Sequence, residues 1–190
     1  MAFLYRYLFP AMWLGYSAYW WAMSRDVKAT ARSESVVSRL ARLVAIVSAA
    51  ALLLLPSVPL PLLNKRFLPM TDWCFWSGAA ITAVGLLFSV WARRHLGKNW
   101  SQSVTVKEGH ELITSGPYAV VRHPIYAGLL LGFLGSAVAR GEWCGILAVA
   151  LVFAALWFKL RLEEEWMRAQ FGGSYQAYSR KVAALVPYII

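Results

Sequence analysis

Acidic residues, histidines and cysteines are scarce in this sequence. Only 9 of the 190 residues are Asp or Glu, 3 are His and 2 are Cys. Cys74 and Cys144 lie far apart and lack a C-x-x-C partner, so neither a zinc site nor a disulfide framework is indicated. The histidines are not spaced to share a metal or a haem, and no glycine-rich phosphate loop or nucleophile elbow occurs. We therefore expect no metal site.

Apolar residues, in contrast, are too abundant for a soluble domain of this length. They make up 59% of the chain, and the mean hydropathy is +0.52. A soluble core of this size cannot bury so much apolar surface, so a lipid bilayer must supply the rest. The net charge of +10 comes from short basic clusters between apolar runs. Nucleic acid is therefore not an expected partner, since its binding needs a continuous basic patch.

The apolar runs predict an all-α integral membrane bundle of about five transmembrane helices. The runs cover residues 3–23, 43–63, 73–91 and 125–160, and the last is interrupted at Ala139-Arg140-Gly141-Glu142 to form a helical hairpin. Residues 1–70 would hold two N-terminal spans. Residues 71–190 would hold three spans, a long connection over 93–124 and the C-terminal helices.

The basic residues predict the orientation of these helices. Of the 19 Lys and Arg, 15 fall on one side of the predicted membrane and 4 on the other. Because basic loops stay in the cytoplasm, we expect the N-terminus outside and the C-terminus inside. We expect a prokaryotic cytoplasmic membrane, with every sizeable polar segment facing the cytoplasm. The oligomeric state is not indicated.

Two stripes of small residues fall at helical spacing within neighbouring spans. One holds Gly78, Thr82 and Gly85, and the other holds Gly128, Gly132 and Gly135. Such stripes let two helix backbones approach closely. Tight helix packing explains both, although a close seam could also admit a lipid tail.

Candidate site residues begin in the long connection. A hairpin over residues 104–113 is one reading of its first half. Pro117 fixes a turn, and Pro124 suits the first position of the next helix, which places His123 at its cap. Free backbone N–H groups there, beside Arg122, would suit an anionic ligand group. The alternatives are a membrane anchor for Arg122 and a capping role for His123.

Three adjacent carboxylates, Glu163, Glu164 and Glu165, follow the last apolar run. Ion pairs with Arg161 and Arg168 along one helix would account for them as a solvated network. Since consecutive helical positions point about 100° apart, at least one carboxylate would face inward. That carboxylate is a candidate functional group.

The motifs between Leu96 and Pro187 together resemble the isoprenylcysteine carboxyl methyltransferase family, which is related to phospholipid methyltransferases. They read, in order, Leu96-Gly97-Lys98-Asn99-Trp100-Ser101, Gly109-His110-Glu111-Leu112, Gly116-Pro117-Tyr118, Arg122-His123-Pro124-Ile125-Tyr126, Glu163-Glu164, Phe171-Gly172, Tyr175 and Tyr178. The sequence is most similar to prokaryotic members of this family. No recognisable motif occurs in the first two spans.

The resemblance implies an enzyme that takes S-adenosyl-L-methionine on the cytoplasmic side and methylates a lipid-borne or apolar acceptor. The residues that would hold the cofactor are His110, Leu112, Tyr118, His123, Pro124, Tyr126, Glu163 and Glu164. The family places an arginine one turn before the paired glutamates, where this chain has Lys159, with Arg161 two residues later.

The acceptor determines the catalytic roles that the resemblance implies. A carboxylate acceptor, such as a prenylcysteine-like C-terminus, is ionised near neutral pH and would need only orientation, by Arg161 or Lys159 with help from Arg122. A phospholipid amine or a small thiol would need a base, for which Glu164 and His123 are candidates. A non-enzymatic membrane scaffold that keeps the fold is the alternative from another class.

Overall fold

The computed structural model describes residues 2–23, 35–55, 57–97 and 112–188. In these ranges the chain forms six α-helices and two short 3₁₀ turns, and no strand beyond an isolated bridge between Arg66 and Glu142. The helices are α1 (Ala2–Met23), α2 (Val36–Leu54), α3 (Asp72–Leu96), α4 (Pro124–Arg140), α5 (Trp143–Phe171) and α6 (Gly173–Lys181). The predicted all-α membrane bundle is confirmed, whereas the predicted hairpin over 104–113 falls almost wholly outside the described residues.

Three of the described helices, α2, α3 and α5, are long and apolar enough to cross a membrane. The other two of the five predicted spans correspond to α1 and α4, which differ from these three helices in composition or length. Helix α4 is apolar but has only 17 residues, and α1 has 22 residues but is rich in Tyr and Trp, whose hydropathy is modest. Large apolar side chains such as Leu87 and Phe158 remain exposed on the bundle, as a bilayer-facing surface requires.

The helix ends follow from local sequence. Ser35 and Thr71 accept hydrogen bonds from the backbone N–H groups of Ser38 and Cys74, which caps α2 and α3. Gly141 ends α4 in the left-handed region, with φ of 66°, and this confirms the predicted break between the last two long helices.

Helices α3 and α4 meet along the two predicted stripes of small residues. A Cβ atom added to Gly85 would lie 2.6 Å from the carbonyl oxygen of Gly128, and one added to Gly78 would lie 2.6 Å from that of Gly135. Only glycine permits such close backbones, so tight packing is the role of both stripes.

The helices share two polar ends. At one end α1, α3 and α5 finish and α2 and α4 begin; we call it the site end. At the other end the buried side chain of Arg140 donates hydrogen bonds to the carbonyl oxygens of Leu53 (2.8 Å) and Leu55 (2.6 Å) and to Glu142 (2.9 Å). These bonds tie α2, α4 and α5 together and fix the spacing of the bundle.

Candidate active site

The chain after α6 holds the start of α4 in place. The backbone N–H groups of Arg122 and His123 donate to the carbonyl oxygens of Ala183 (2.8 Å) and Ala184 (2.9 Å). Pro124 then begins α4 at a position where its missing N–H costs nothing. The C-terminal segment thereby presents the side chains of residues 122–126 to α5.

Glu164 is the centre of a buried ion-pair network. Its Oε1 accepts from Nε of Arg122 at 2.8 Å and also from Nη2, and its Oε2 accepts from Arg168 at 2.8 Å. Nη1 of Arg122 donates to the carbonyl oxygens of Ser179 (3.1 Å) and Val182. Glu164 is only 5% exposed, whereas the side chain of Arg168 is about half exposed, so this network joins α5 to the C-terminal segment at the edge of the buried region.

Glu163 belongs to a second group that faces a cavity. Its Oε1 accepts a hydrogen bond from the hydroxyl of Tyr126 at 2.5 Å and lies 3.7 Å from Nζ of Lys159. Its Oε2 lies 3.5 Å from Nδ1 of His123, whose ring stacks on Tyr126 with centroids 5.5 Å apart. Nε2 of His123 is buried and makes no hydrogen bond, although Glu164 Oε1 lies 3.5 Å away. That ring nitrogen is the unsatisfied polar atom of the group.

The environment shifts the pKa values of the residues around α4. Burial alone would lower the pKa of His123, but the carboxylates of Glu163 and Glu164 outweigh it and raise that pKa above its usual value. Burial raises the pKa of Tyr118 and raises that of Tyr178 to about 12. Near neutral pH these tyrosines are therefore neutral hydrogen-bonding groups.

A cavity of about 1270 Å³ extends from this second group into the apolar interior of the bundle. At the site end its lining includes His123, Lys159 and Glu163. Further down, the lining is apolar and includes Trp13 and Phe133. A ligand with a polar head and an apolar tail matches this distribution.

The structure brings most of the predicted site residues to this cavity. Those that line it are Leu112, Tyr118, Arg122, His123, Pro124, Tyr126 and Glu163. Glu164, predicted to act in catalysis and cofactor binding, instead faces Arg122 and Arg168. His110 lies outside the described residues.

Arg161, predicted to orient the acceptor, lies apart from the cavity. Its side chain is exposed, and its guanidinium carbon lies 5.8 Å from the centroid of the Trp157 ring. Lys159, two residues earlier and thus about 200° around the helix, points to the cavity instead. Of the two cations, Lys159 is therefore the one that lines the cavity.

Sequence reasoning missed the part of the lining that comes from α2. Arg39 and Arg42 line the cavity at its site end, although their positive charge was read only as a guide to orientation. A signal was available, because Val36, Arg39 and Leu43 fall at helical spacing on one face. Tyr175, Trp166 and Gln170 also line the cavity, and of these only Tyr175 belonged to a recognised motif.

Comparison with known proteins gives a consistent picture of residues 73–174. The family described as "Phospholipid methyltransferase" matches this range, from the start of α3 into α6. Protein-S-isoprenylcysteine O-methyltransferase from Schizosaccharomyces pombe is 37% identical over 99 residues, covering 49% of this chain and 41% of the relative.

Two further relatives have different coverage. Protein-S-isoprenylcysteine O-methyltransferase B from Arabidopsis thaliana is 26% identical over 120 residues, which is 62% of this chain and 61% of the relative. Phosphatidyl-N-methylethanolamine N-methyltransferase from Emericella nidulans is 44% identical over 52 residues, which is 27% of this chain and 26% of the relative. The alignments thus span less than two thirds of these curated relatives.

Proposed function

Because the chain belongs to the phospholipid methyltransferase family, we propose that it transfers a methyl group from S-adenosyl-L-methionine to a lipid-borne or apolar acceptor in the membrane. The observation that carries this proposal is the continuous cavity, in which charged and aromatic side chains at the site end meet an apolar wall inside the bundle. A cytoplasmic cofactor and a membrane-borne acceptor would meet at the boundary between these two parts.

The residues at the site end fit the proposed cofactor. Nε2 of His123 is buried without a hydrogen-bond partner, and the carboxylate of Glu163 faces the cavity. The rings of Tyr118 and Tyr126 add aromatic surface beside that carboxylate. Negative charge and aromatic faces both favour a cationic sulfonium, while His123 offers a polar contact. S-adenosyl-L-methionine supplies a methyl group on positively charged sulfur, which is already activated for in-line transfer.

For the acceptor we favour a carboxylate on an apolar carrier, such as a prenylcysteine-like C-terminus. Lys159 would orient it, because this residue lines the cavity and its ammonium group lies 5.2 Å from the centroid of the Tyr126 ring and 3.7 Å from Glu163. Arg122 is engaged by Glu164 and would act through that network as a positioning residue. An ionised carboxylate needs no base, so alignment and exclusion of water are the main requirements.

A phospholipid amine is the second candidate acceptor, favoured by the short but 44% identical match to a phosphatidyl-N-methylethanolamine N-methyltransferase. Such an acceptor must lose a proton before or during transfer, and Glu163 is the carboxylate that faces the cavity to accept it. A small thiol would likewise have to lose a proton. A scaffold that binds no cofactor remains the non-enzymatic alternative.

We place the site end in the cytoplasm on the basis of the 15 to 4 division of basic residues, and the protein in a prokaryotic inner membrane. Cysteine labelling of intact cells tests the orientation in a Cys74→Ser, Cys144→Ser background. Leu62→Cys, in the exposed connection between α2 and α3, should react with a membrane-impermeant maleimide. Lys181→Cys at the end of α6 should react only after permeabilisation, and the reverse pattern would overturn the orientation.

Calorimetric titration of the detergent-purified protein with S-adenosyl-L-methionine tests the cofactor assignment. Saturable binding is expected for the wild type and for Arg161→Ala, the control cation outside the cavity. His123→Ala and Glu163→Gln should weaken binding at least tenfold, since each removes a polar contact of about 1.4 kcal/mol or more. A folded wild-type protein that does not bind would favour the scaffold.

Methyl transfer to S-prenylcysteine and to phosphatidyl-N-methylethanolamine then separates the two acceptors. If the carboxylate is the acceptor, Lys159→Met should raise KM for S-prenylcysteine while leaving cofactor affinity unchanged. Transfer to the amine alone would overturn the preference for a carboxylate.

A further inference from the structure

We propose that the indole of Trp13 is a fixed stop in the apolar part of the cavity and sets the length of the acceptor chain that the protein accepts. This inference rests on the proposed function and adds a specificity-determining residue to it. The occupant we assign to this part of the cavity is a single hydrocarbon or isoprenoid chain attached to the reacting head group. Its chemistry follows from the lining, in which Trp13 packs against the apolar cluster that includes Leu53 and Phe133.

Trp13 is held in place from several sides. Its Nε1–H donates a hydrogen bond to Oγ of Ser136 at 3.1 Å, and its ring centroid lies 4.6 Å from that of Phe133. Ser136 is itself fully buried, and its hydroxyl donates to the carbonyl oxygen of Gly132 at 2.9 Å. An aromatic side chain held by a hydrogen bond and a ring contact is less mobile than a free aliphatic side chain, and it therefore limits the cavity more firmly.

The absence of a side chain at Gly132 leaves space for the indole of Trp13. A Cβ atom added to Gly132 would lie 3.3 Å from Cη2 of Trp13, a tighter contact than side chains normally make. The small residue on α4 therefore allows the ring to lie against the helix backbone. The face of Trp13 that remains partly exposed lines the cavity.

The position of Trp13 along the bundle fits a length limit. Phe133, which contacts Trp13, lies seven residues after Tyr126 on α4, a rise of about 10 Å from the polar group. The cavity continues past Trp13 to Pro10 and Leu54. Pro10 lies three residues, about one helical turn, from Trp13 on α1, so removing the indole would join the space beside Pro10 and Leu54 to the part of the cavity that holds the chain.

Trp13 also lies outside the part of the chain that matches the family. The family match begins at residue 73, whereas α1 and α2 supply much of the apolar lining. The polar group comes from residues 122–126 and α5, within the matched range. Chain-length preference can therefore differ between relatives while the transfer chemistry is retained.

The test compares methyl transfer to S-hexyl-, S-octyl- and S-dodecylcysteine by wild type, Trp13→Ala and Trp13→Phe in detergent. Trp13→Ala should raise kcat/KM for the dodecyl relative to the octyl acceptor by about tenfold, since each additional buried methylene favours binding several-fold. Trp13→Phe keeps a ring in place and should show a smaller change. Trp21→Ala, which removes the same side chain from the lining near the site end, should leave the ratio unchanged.

Crosslinking gives a second readout that does not need catalysis. S-Dodecylcysteine with a terminal diazirine should label Trp13 or Phe133 in the wild type, and label beyond them, near Pro10 or Leu54, in Trp13→Ala. Labelling without methyl transfer would count against the proposed function but support the stop. An unchanged chain-length ratio in Trp13→Ala, or labelling elsewhere in the wild type, would overturn the inference.

Discussion

Glu163 and Glu164 are adjacent in sequence but have different partners. Glu164 joins Arg122 and Arg168 in the buried network, whereas Glu163 faces the cavity with Tyr126. One carboxylate therefore supports the architecture of the site, and the other is available to a ligand. The two substitutions to glutamine should separate these roles.

We expect Glu164→Gln to lower the free energy of unfolding by about 3 kcal/mol, because it leaves the buried Arg122 guanidinium without its counter-charge. Glu163→Gln should retain most of the stability and lose cofactor binding. Glu165→Gln, on the exposed side of the same helix turn, is the control and should change neither quantity. Thermal unfolding and calorimetric titration measure both effects, and equal destabilisation by all three would contradict the assignment.

The raised pKa of His123 makes a pH-dependent contribution to stability. A pKa that is higher in the folded than in the unfolded protein stabilises the fold fully below about pH 6.5, and this contribution is lost as pH rises through the folded value. We therefore expect the melting temperature of the wild type to exceed that of His123→Gln most at mildly acidic pH. The difference should shrink as pH rises. A difference that grows with pH would show that His123 is held neutral.

Single residues were also where sequence reasoning was weakest. Arg93 and Arg140 were counted only as markers of membrane orientation, yet both are buried. Arg93 donates to the carbonyl oxygens of Gly97 (3.0 Å) and Met23 (2.9 Å), and so joins the ends of α3 and α1. A basic residue beside an apolar run looks the same in sequence whether it meets water or a helix end, because only tertiary packing decides which.

Among the helices, the contact of α3 with α4 depends most directly on residue size. Gly85→Ala would bring a methyl group to within 2.6 Å of the Gly128 backbone, and we expect it to cost about 1–3 kcal/mol through separation of the two helices. Gly15→Ala in α1 has open space around it and is the matched control. It should be neutral or stabilising, since alanine favours helix by about 1 kcal/mol. Thermal unfolding in detergent compares them.

The positions of the helices could largely be predicted from sequence, whereas which of them are apolar enough to cross the membrane was harder to predict. The break at Gly141 and the start of α4 at Pro124 follow from backbone chemistry that local sequence reveals. Helix α1 was read as a span from its length. Its tyrosines and tryptophans make it less apolar, and several of them, including Trp13 and Tyr16, line the cavity or contact other helices. The division at residue 70 stays a prediction.

For the whole molecule, the motifs identified the polar half of the cavity but not its apolar half. Residues such as His123 and Tyr126 belong to a recognisable pattern, because their chemistry restricts which side chains serve. Apolar lining has no such pattern, since many side chains can fill the same space. That α1 and α2 complete the cavity follows only from their packing.

The length of α5 has a consequence for the bilayer around the protein. Its 29 residues extend about 43 Å, whereas a typical hydrocarbon core is about 30 Å thick. Glu163 lies on the same helix that crosses the membrane. Its distance from the membrane surface therefore depends on how much of α5 the lipid covers. The rate of methyl transfer should therefore depend on membrane thickness. In nanodiscs of thicker lipids we expect slower methyl transfer, because the lipid headgroups lie closer to the polar group and restrict the entry of substrates. Equal rates across lipids of different chain length would show that α5 tilts to compensate.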